Sequence, residues 1–206
     1  MKLSILIPSI NIRAAMLDRL LEQIKKQLKL IQVCDVLTIP LSSSSSNFYR
    51  LMFDKNVEVL VLKDSCQNTI GEKRNKLVSL AEGEYCAFID DDDRVAENYF
   101  ENILDCLKFK PDCCSLKGIY TENGANPKTF IHSTNVNGWY EKDGIFYRYP
   151  NHLNAIKTSI VKQIPFLEVN REEDKDFSYR LMESGLIGNQ IIIEDVLYYY
   201  DYISNK

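Results

Sequence analysis

Four consecutive aspartates, Asp90 to Asp93, directly follow the apolar run Tyr85-Cys86-Ala87-Phe88-Ile89. Adjacent carboxylates at the end of a buried strand repel one another, so they call for a cation or dense hydrogen bonding to offset them. A hard divalent cation held by one or two carboxylates, with phosphate oxygens completing its shell, meets that need. The plainer alternative is a solvated loop in which Asp93 caps the next helix, although one cap requires only one acid. A second group is Gly71-Glu72-Lys73-Arg74-Asn75. At a helical step of ~100° per residue, Ile70, Arg74, Leu77 and Ala81 share one stripe, which turns Arg74 toward the sheet. A guanidinium there needs a partner, either a phosphate or one of the aspartates. A third group is Arg171-Glu172-Glu173-Asp174-Lys175-Asp176-Phe177. Asp174 aligns with Phe177 and Leu181, while Glu172 and Asp176 fall on the far side. Asp174 is therefore expected to face inward at a helix start, where the dipole also favours a carboxylate. His152, one of two histidines, is either a site residue or a structural one. Trp139-Tyr140 and Phe146-Tyr147 offer a platform for a sugar, or simply core and rim.

The elements that must position these groups are legible in the apolar spacing. Leu3 to Ile7 is a short buried strand ended by Pro8-Ser9. Leu17, Leu20, Leu21, Ile24 and Leu28 mark an amphipathic helix. Val57 to Leu62 is a second strand, followed by a polar loop and a helix from about Gly71 to Glu82, with Gly83 as its stop. Tyr85 to Ile89 is a third strand, and Ala96 to Leu107 a further helix. Strands alternating with helices predict βαβ units and a parallel sheet covered on both faces, whose strand carboxyl ends bind ligands. Residues 29–56 fit less well: Val33 to Ile39 is an extra strand at most, and the serines 42–46 are expected to form a flexible loop tip. From Pro111 the alternation gives way to short aromatic pieces and turns at Asn123-Gly124, Asn137-Gly138 and Asp143-Gly144. A helix at about 173–184 and a strand from Gln190 to Ile193 close the pattern.

Bulk properties set the outer bounds. The chain has 206 residues, 45% of them hydrophobic and 26% charged, enough for one domain with a sizeable core. A net charge of −4 argues against an electrostatic grip on nucleic acid or an acidic membrane. No apolar run approaches the ~18 residues of a membrane span, and the apolar N-terminal stretch is too short for a signal peptide. Six cysteines (34, 66, 86, 106, 113, 114) form no CxxC pair, and they read as thiols in a reducing cytoplasm rather than as a disulfide framework. GxGxxG, Walker A, HExxH and GxSxG patterns are absent.

In order along the chain, Leu3-Ser4-Ile5-Leu6-Ile7-Pro8-Ser9, Gly71-Glu72-Lys73-Arg74-Asn75, Ala81-Glu82-Gly83-Glu84-Tyr85 leading into Phe88-Ile89-Asp90-Asp91-Asp92-Asp93, and Glu173-Asp174 resemble glycosyltransferase family 2. The similarity covers most of residues 3–107, returns around 150–185, and is to the small stand-alone members. It implies the α/β GT-A fold: a single domain over 1–206, with a Rossmann-like nucleotide-sugar half (about 1–110, mostly parallel central sheet) and an irregular acceptor half (about 111–206). It also implies a metal-dependent, inverting hexosyltransferase that uses Mn²⁺ or Mg²⁺. The donor would be a nucleotide-diphosphate sugar, a UDP-sugar by analogy, and the acceptor a glycan or other hydroxyl. Ser9, Arg13 and Asp64 would then hold the nucleoside, and Arg74 with Lys73 would face the diphosphate. Asp90 would lie near the ribose with Asp91 beside it, and Asp92, together with Asp90, would bind the metal; Asp91 and Asp93 form the alternative DxD register. Asp174 would be the catalytic base, with Glu173, His152 and Trp139 on the acceptor side. A membrane-embedded processive synthase is not expected. Two other readings compete: a Mg²⁺-dependent phosphatase or phosphotransferase with Asp90 as nucleophile, and a non-catalytic sugar-nucleotide-binding module. The phosphatase reading is disfavoured because such a carboxylate pair would more naturally follow the first strand.

Overall fold

The computed structural model describes residues 2–40 and 45–203. The first half runs β1 (Leu3–Ile10), α1 (Ala14–Gln27), β2 (Leu30–Pro40), β3 (Ser45–Phe53), β4 (Val57–Asp64), α2 (Ile70–Leu80), β5 (Tyr85–Phe88), β6 (Arg94–Val95) and α3 (Tyr99–Leu107). The second half contributes β7 (Cys113–Cys114), β8 (Leu116–Glu122), β9 (Ala125–His132), β10 (Tyr140–Lys142), β11 (Ile145–Arg148), β12 (Ile156–Lys157), α4 (Thr158–Val161), α5 (Glu173–Glu183), β13 (Gln190–Ile191) and β14 (Val196–Tyr202).

The central sheet has the order β13-β7-β12-β5-β1-β4-β3-β2. Its middle, β4-β1-β5, is parallel in the expected way, and only β3 and β12 among the described strands run against the rest. Pro8 is tolerated inside β1 because pairing to β5 ends at Leu6↔Phe88, where no N–H beyond it is required. Side chains alternate across the sheet, so β1 serves two cores. Leu3, Ile5 and Ile7 pack with Leu17, Leu20 and Ile24 of α1 and with α3, whereas Leu6 packs with Leu77 of α2 and with Phe177 and Leu181 of α5. Continuous apolar strands follow from this burial on both faces.

Three expectations change. Residues 29–56 form an antiparallel β2–β3 hairpin that extends the sheet beyond β4, because the edge of β4 offers a full row of unpaired main-chain groups. Of the serine run, 42–44 lie outside the described residues, and the remaining two belong to β3. The half read as irregular contains a second sheet, β10-β11-β9-β8-β14-β6. Its hairpin turns are the Asn123-Gly124 and Asp143-Gly144 pairs, both residues of each at positive φ as a primed two-residue turn requires. Finally, Cys106 and Cys114 form a disulfide, their Cα atoms 6.7 Å apart where α3 packs on β7; Cys66, Cys86 and Cys113 are free. Cysteine usage therefore no longer argues for a reducing compartment. Among the described residues no helix is long and apolar enough to cross a membrane.

The segment 165–172 is strapped across the start of α2. The Asn75 side chain bonds Phe166 N–H and C=O at 2.7 and 2.9 Å, Gly71 N–H reaches Val169 O at 3.2 Å, and Ile70 N–H reaches Asn170 Oδ1 at 3.0 Å. The strap lies so close that a Cβ on Gly71 would stand 1.8 Å from Leu167 O. Helix propensity alone favours Gly71→Ala by up to ~1 kcal/mol. The clash reverses the sign: at ~1–3 kcal/mol for overpacking, the melting temperature should fall by roughly 3–10 °C. A thermal melt of the variant checks it, and an unchanged or higher midpoint would show that the strap is not held as described.

Candidate functional site

The loops after β1, β4 and β5 open together at the carboxyl end of the sheet, around a cavity of about 500 Å³. Pro8, Ile10 and Cys66 form part of its wall, and Arg13, Lys73, Arg74, Asp90, Asp91, Asp92, Glu173 and Tyr200 supply its chemistry. The size falls within the usual range for small-molecule sites.

The aspartate tetrad is resolved by alternation. Asp91 and Asp93 turn inward, while Asp90 and Asp92 keep side-chain exposures of 28% and 16%. Asp91 accepts from Ser9 Oγ at 2.7 Å and from Arg13 at 3.0 Å. Burial pushes its carboxyl up, with the Ser9 hydroxyl and Arg13 opposing. Asp93 accepts from the Tyr198 hydroxyl at 2.7 Å, and that oxygen in turn accepts from Asp90 N–H at 3.1 Å. Burial first, then Asp93 and Asp90, push the Tyr198 phenol far up, so it stays an O–H donor. Arg19 of α1 ties down the main chain, donating to the carbonyls of Asp92 and Asp93 at 2.8 and 3.1 Å. Asp90, Asp91 and Asp92 all line the cavity, Asp90 and Asp92 with the more exposed edges.

A capping box of Thr69 and Glu72 fixes where α2 begins and so which way its first turn points. Lys73 and Arg74 stand at the positive end of the helix dipole, an unfavourable place for cations, and both are buried against carboxylates. Lys73 Nζ donates to Asp64 at 2.9 Å and to Ser9 O at 3.0 Å, joining the ends of β4 and β1. Arg74, only 3% exposed, pairs with Asp90 at 3.2 Å and with Glu173, and meets His152 Nε2 at 3.0 Å. Its guanidinium lies over Phe88 and Phe166, 5.6 and 5.7 Å from the ring centroids. Burial would raise Asp90's carboxyl, but Arg74 and His152 outweigh it and hold the group well below the carboxylate range.

Several expected positions are corrected. Glu173, not Asp174, is the inward member of its pair: it is 5% exposed and aligned with Phe177 and Leu181. Positions i−4 and i−3 from Phe177 share one face, and the guanidinium of Arg74 decides between them. Asp174 is half-buried, one position around the helix. Burial raises Glu173's carboxyl, with Arg74 opposing. His152 and Glu173 were both expected on the acceptor side; His152 is buried beneath Arg74, and Glu173 lines the cavity beside the aspartates. Asp64, expected at the nucleoside, is a buried loop organiser that accepts from Cys66 N–H, Asn68 N–H, Asn68 Nδ2 and Lys73. Ser9 is buried likewise, its hydroxyl engaged by Asp91. Trp139 is half-buried, donating from Nε1 to Ser178 Oγ one turn beyond Asp174, with Arg148 4.7 Å from its ring. Burial pushes the Arg148 guanidinium down, with the Asp174 carboxylate the main opposing influence. Tyr198, Tyr200 and Arg148 went unremarked in the sequence: only strand alternation in Val196–Tyr202 marks the two tyrosines, and Arg148 is simply the last residue of β11.

The sequence model of the family described as glycosyl transferase family 2 matches residues 4–166. No curated protein matches the chain. Among solved structures, S. aureus TarS 1–349 in complex with UDP aligns with a TM-score of 0.62 at 18% identity, over 98% of this chain and 60% of that one. The same protein in complex with UDP-GlcNAc aligns with a TM-score of 0.63 at 16% identity, over 100% and 60%. This chain therefore spans about 60% of the length of those structures, and the likeness shows a common fold.

Burial raises Asp64's carboxyl, yet Lys73 and Asn68 outweigh it and hold the group below its ordinary value. Stability from this pair is thus full above the ordinary carboxylate range and lost as pH falls through and below it. Asp64→Asn, which leaves Lys73 buried without its counter-charge, should cost about 3–5 kcal/mol at pH 7. The gap to wild type should shrink below a pH of about 4. Denaturant titrations between pH 7 and pH 3 measure both; a gap independent of pH would refute the assignment.

Proposed function

The chain belongs to glycosyl transferase family 2, and from that premise we propose that it moves a sugar from a nucleotide-diphosphate donor, a UDP-sugar, to a hydroxyl acceptor such as a glycan. One observation carries the reading. The carboxylates after β5 and the Glu173-Asp174 pair opening α5 are joined through a single buried residue, Arg74, on the wall of one cavity. A transferase needs that adjacency: a place for a leaving diphosphate on one side and a base on the other. The TarS 1–349 complexes with UDP and with UDP-GlcNAc favour uridine as the nucleoside of the donor.

Asp92 and Asp90 would hold the cation: their carboxylate oxygens keep exposed edges on the cavity wall, a donor set that suits Mg²⁺ or Mn²⁺ completed by phosphate oxygens. Bound there, such a cation supplies neutralisation of the charge that grows on the leaving diphosphate. The first N–H groups of α2 are taken by Asn170, Val169 and Thr69, so the helix end is not available as an anion site. Arg74 and Arg13 are the wall's guanidinium groups toward the phosphates. The acceptor oxygen attacks the anomeric carbon as the bond to the diphosphate oxygen breaks, and the acceptor's proton passes to Asp174. A single displacement of this kind inverts the anomeric configuration. Trp139, bonded to Ser178 of α5, and Arg148 over its ring would lie on the acceptor side.

A second reading, with Glu173 as base, draws on the fact that Glu173 rather than Asp174 lines the cavity. Asp174 is preferred here because Glu173 is already the partner of Arg74, whereas Asp174 keeps an exposed edge. Incubation with a panel of UDP-sugars and Mn²⁺ tests transfer, and NMR of the product reads its configuration. Asp174→Asn should leave donor affinity nearly intact and lower turnover by about 10²–10⁴, the usual share of a general base. Near-normal turnover in Asp174→Asn with loss in Glu173→Gln would move the base to Glu173; a retained configuration would sink single displacement. Asp92→Asn should abolish the Mn²⁺-dependent part of UDP binding in calorimetry while leaving the fold intact, and undiminished metal dependence would remove Asp92 from the metal.

A further inference from the structure

Arg13 stands apart from the other cations of the site. Lys73 and Arg74 are buried, whereas the Arg13 side chain is 31% exposed, and the 3₁₀ turn that carries it, Asn11–Arg13, has no buried residue. One Arg13 nitrogen, Nη1, reaches two carboxylates at once, Asp91 at 3.0 Å and Asp92 at 3.3 Å. The two contacts differ in kind. Asp91 is buried and held by Ser9, so it is an anchor, while Asp92 keeps an exposed edge on the cavity wall. Burial would discharge Arg13, but Asp92, Asp91 and Asp90 together hold it firmly charged.

Resting on the reading that Asp92 binds a divalent cation, we propose that Arg13 is the resident counter-cation of this carboxylate pair and competes with the metal for Asp92. Cation binding would move the guanidinium off Asp92 while its bond to Asp91 stays. Like charges of +1 and +2 cannot share one carboxylate edge cheaply: at ~4 Å their repulsion exceeds the attraction of a single ion pair at the same dielectric. The turn can yield because nothing in the core depends on it. Arg13 is then a positioning residue. It keeps Asp91 and Asp92 in place, and it holds the affinity for metal alone low, so that the cation enters with a donor whose phosphates supply the attraction the guanidinium withholds.

The test is Mn²⁺ binding without nucleotide, read by the loss of the free-ion EPR signal and by calorimetry, on wild type, Arg13→Met, Arg13→Gln and Arg13→Lys. Removing the charge should tighten Mn²⁺ binding by roughly tenfold or more, with Arg13→Lys closer to wild type. A merely structural role for Arg13 would weaken or leave unchanged the same affinity. Equal or weaker Mn²⁺ binding in both neutral variants, each confirmed folded by its melt, overturns the proposal while leaving the metal reading standing. If neither wild type nor the neutral variants bind Mn²⁺ without nucleotide, the proposal falls, and Mn²⁺-dependent UDP binding decides separately whether the metal reading falls with it.

Discussion

Everything at the carboxyl end of the sheet answers to the repulsion among Asp90, Asp91, Asp92 and Asp93. Two carboxylates ~4 Å apart at an effective dielectric of ~20 repel by about 4 kcal/mol, so four in succession cannot stand without counter-charges and donors. The structure supplies them from every neighbouring element. Arg13 comes from the loop after β1, Arg19 from α1, Arg74 from α2 and the Tyr198 hydroxyl from β14. Such buried charge adds little net stability, since desolvation consumes most of the Coulombic gain. The stability resides in the two apolar cores on either face of the sheet, and the polar network is built on them.

Arg74 is the member that joins the two halves. Phe88 and Phe166 hold its plane, Asp90 and Glu173 take its edges, and His152 lies against it. The strap of residues 165–172 runs from α2 to the start of α5, with Asn75, Gly71 and Ile70 bonded to it. A displacement of the first turn of α2 would therefore be felt at the Glu173-Asp174 pair. The groups to which the proposed function assigns donor binding and base are thereby held in one frame, the kind of preorganisation on which positioning in catalysis depends.

The surroundings of Trp139 are built differently. They rest on the second sheet and on aromatic contacts rather than on a buried ion network. Trp139 is fastened to α5 through Ser178, Arg148 covers the Trp139 ring, and Tyr140 stacks on Tyr147 at 5.1 Å. These groups sit on short strands and hairpin turns, where side chains are set by loop geometry more than by a core.

Local patterning determined the parts of this protein that depend on one period or one short motif. The strands β1, β4 and β5, the helices α1, α2, α3 and α5, the two Asn-Gly and Asp-Gly hairpin turns and the burial of Arg74 all follow from spacing, because a covered strand or a helical stripe writes itself into consecutive residues. What the tertiary structure alone decided are matters of partner choice. Spacing could not tell Glu173 from Asp174, since both share a face with Phe177; Arg74, 99 residues away, selects Glu173. It could not rank the four aspartates, because Ser9, Arg13 and Tyr198 choose which carboxylates are buried. Nor could it show the β2–β3 hairpin against β4, or Cys106 beside Cys114, because an edge strand and a disulfide depend on what packs next to them. Periodicity reports which residues leave water; only the fold determines what they meet when they do.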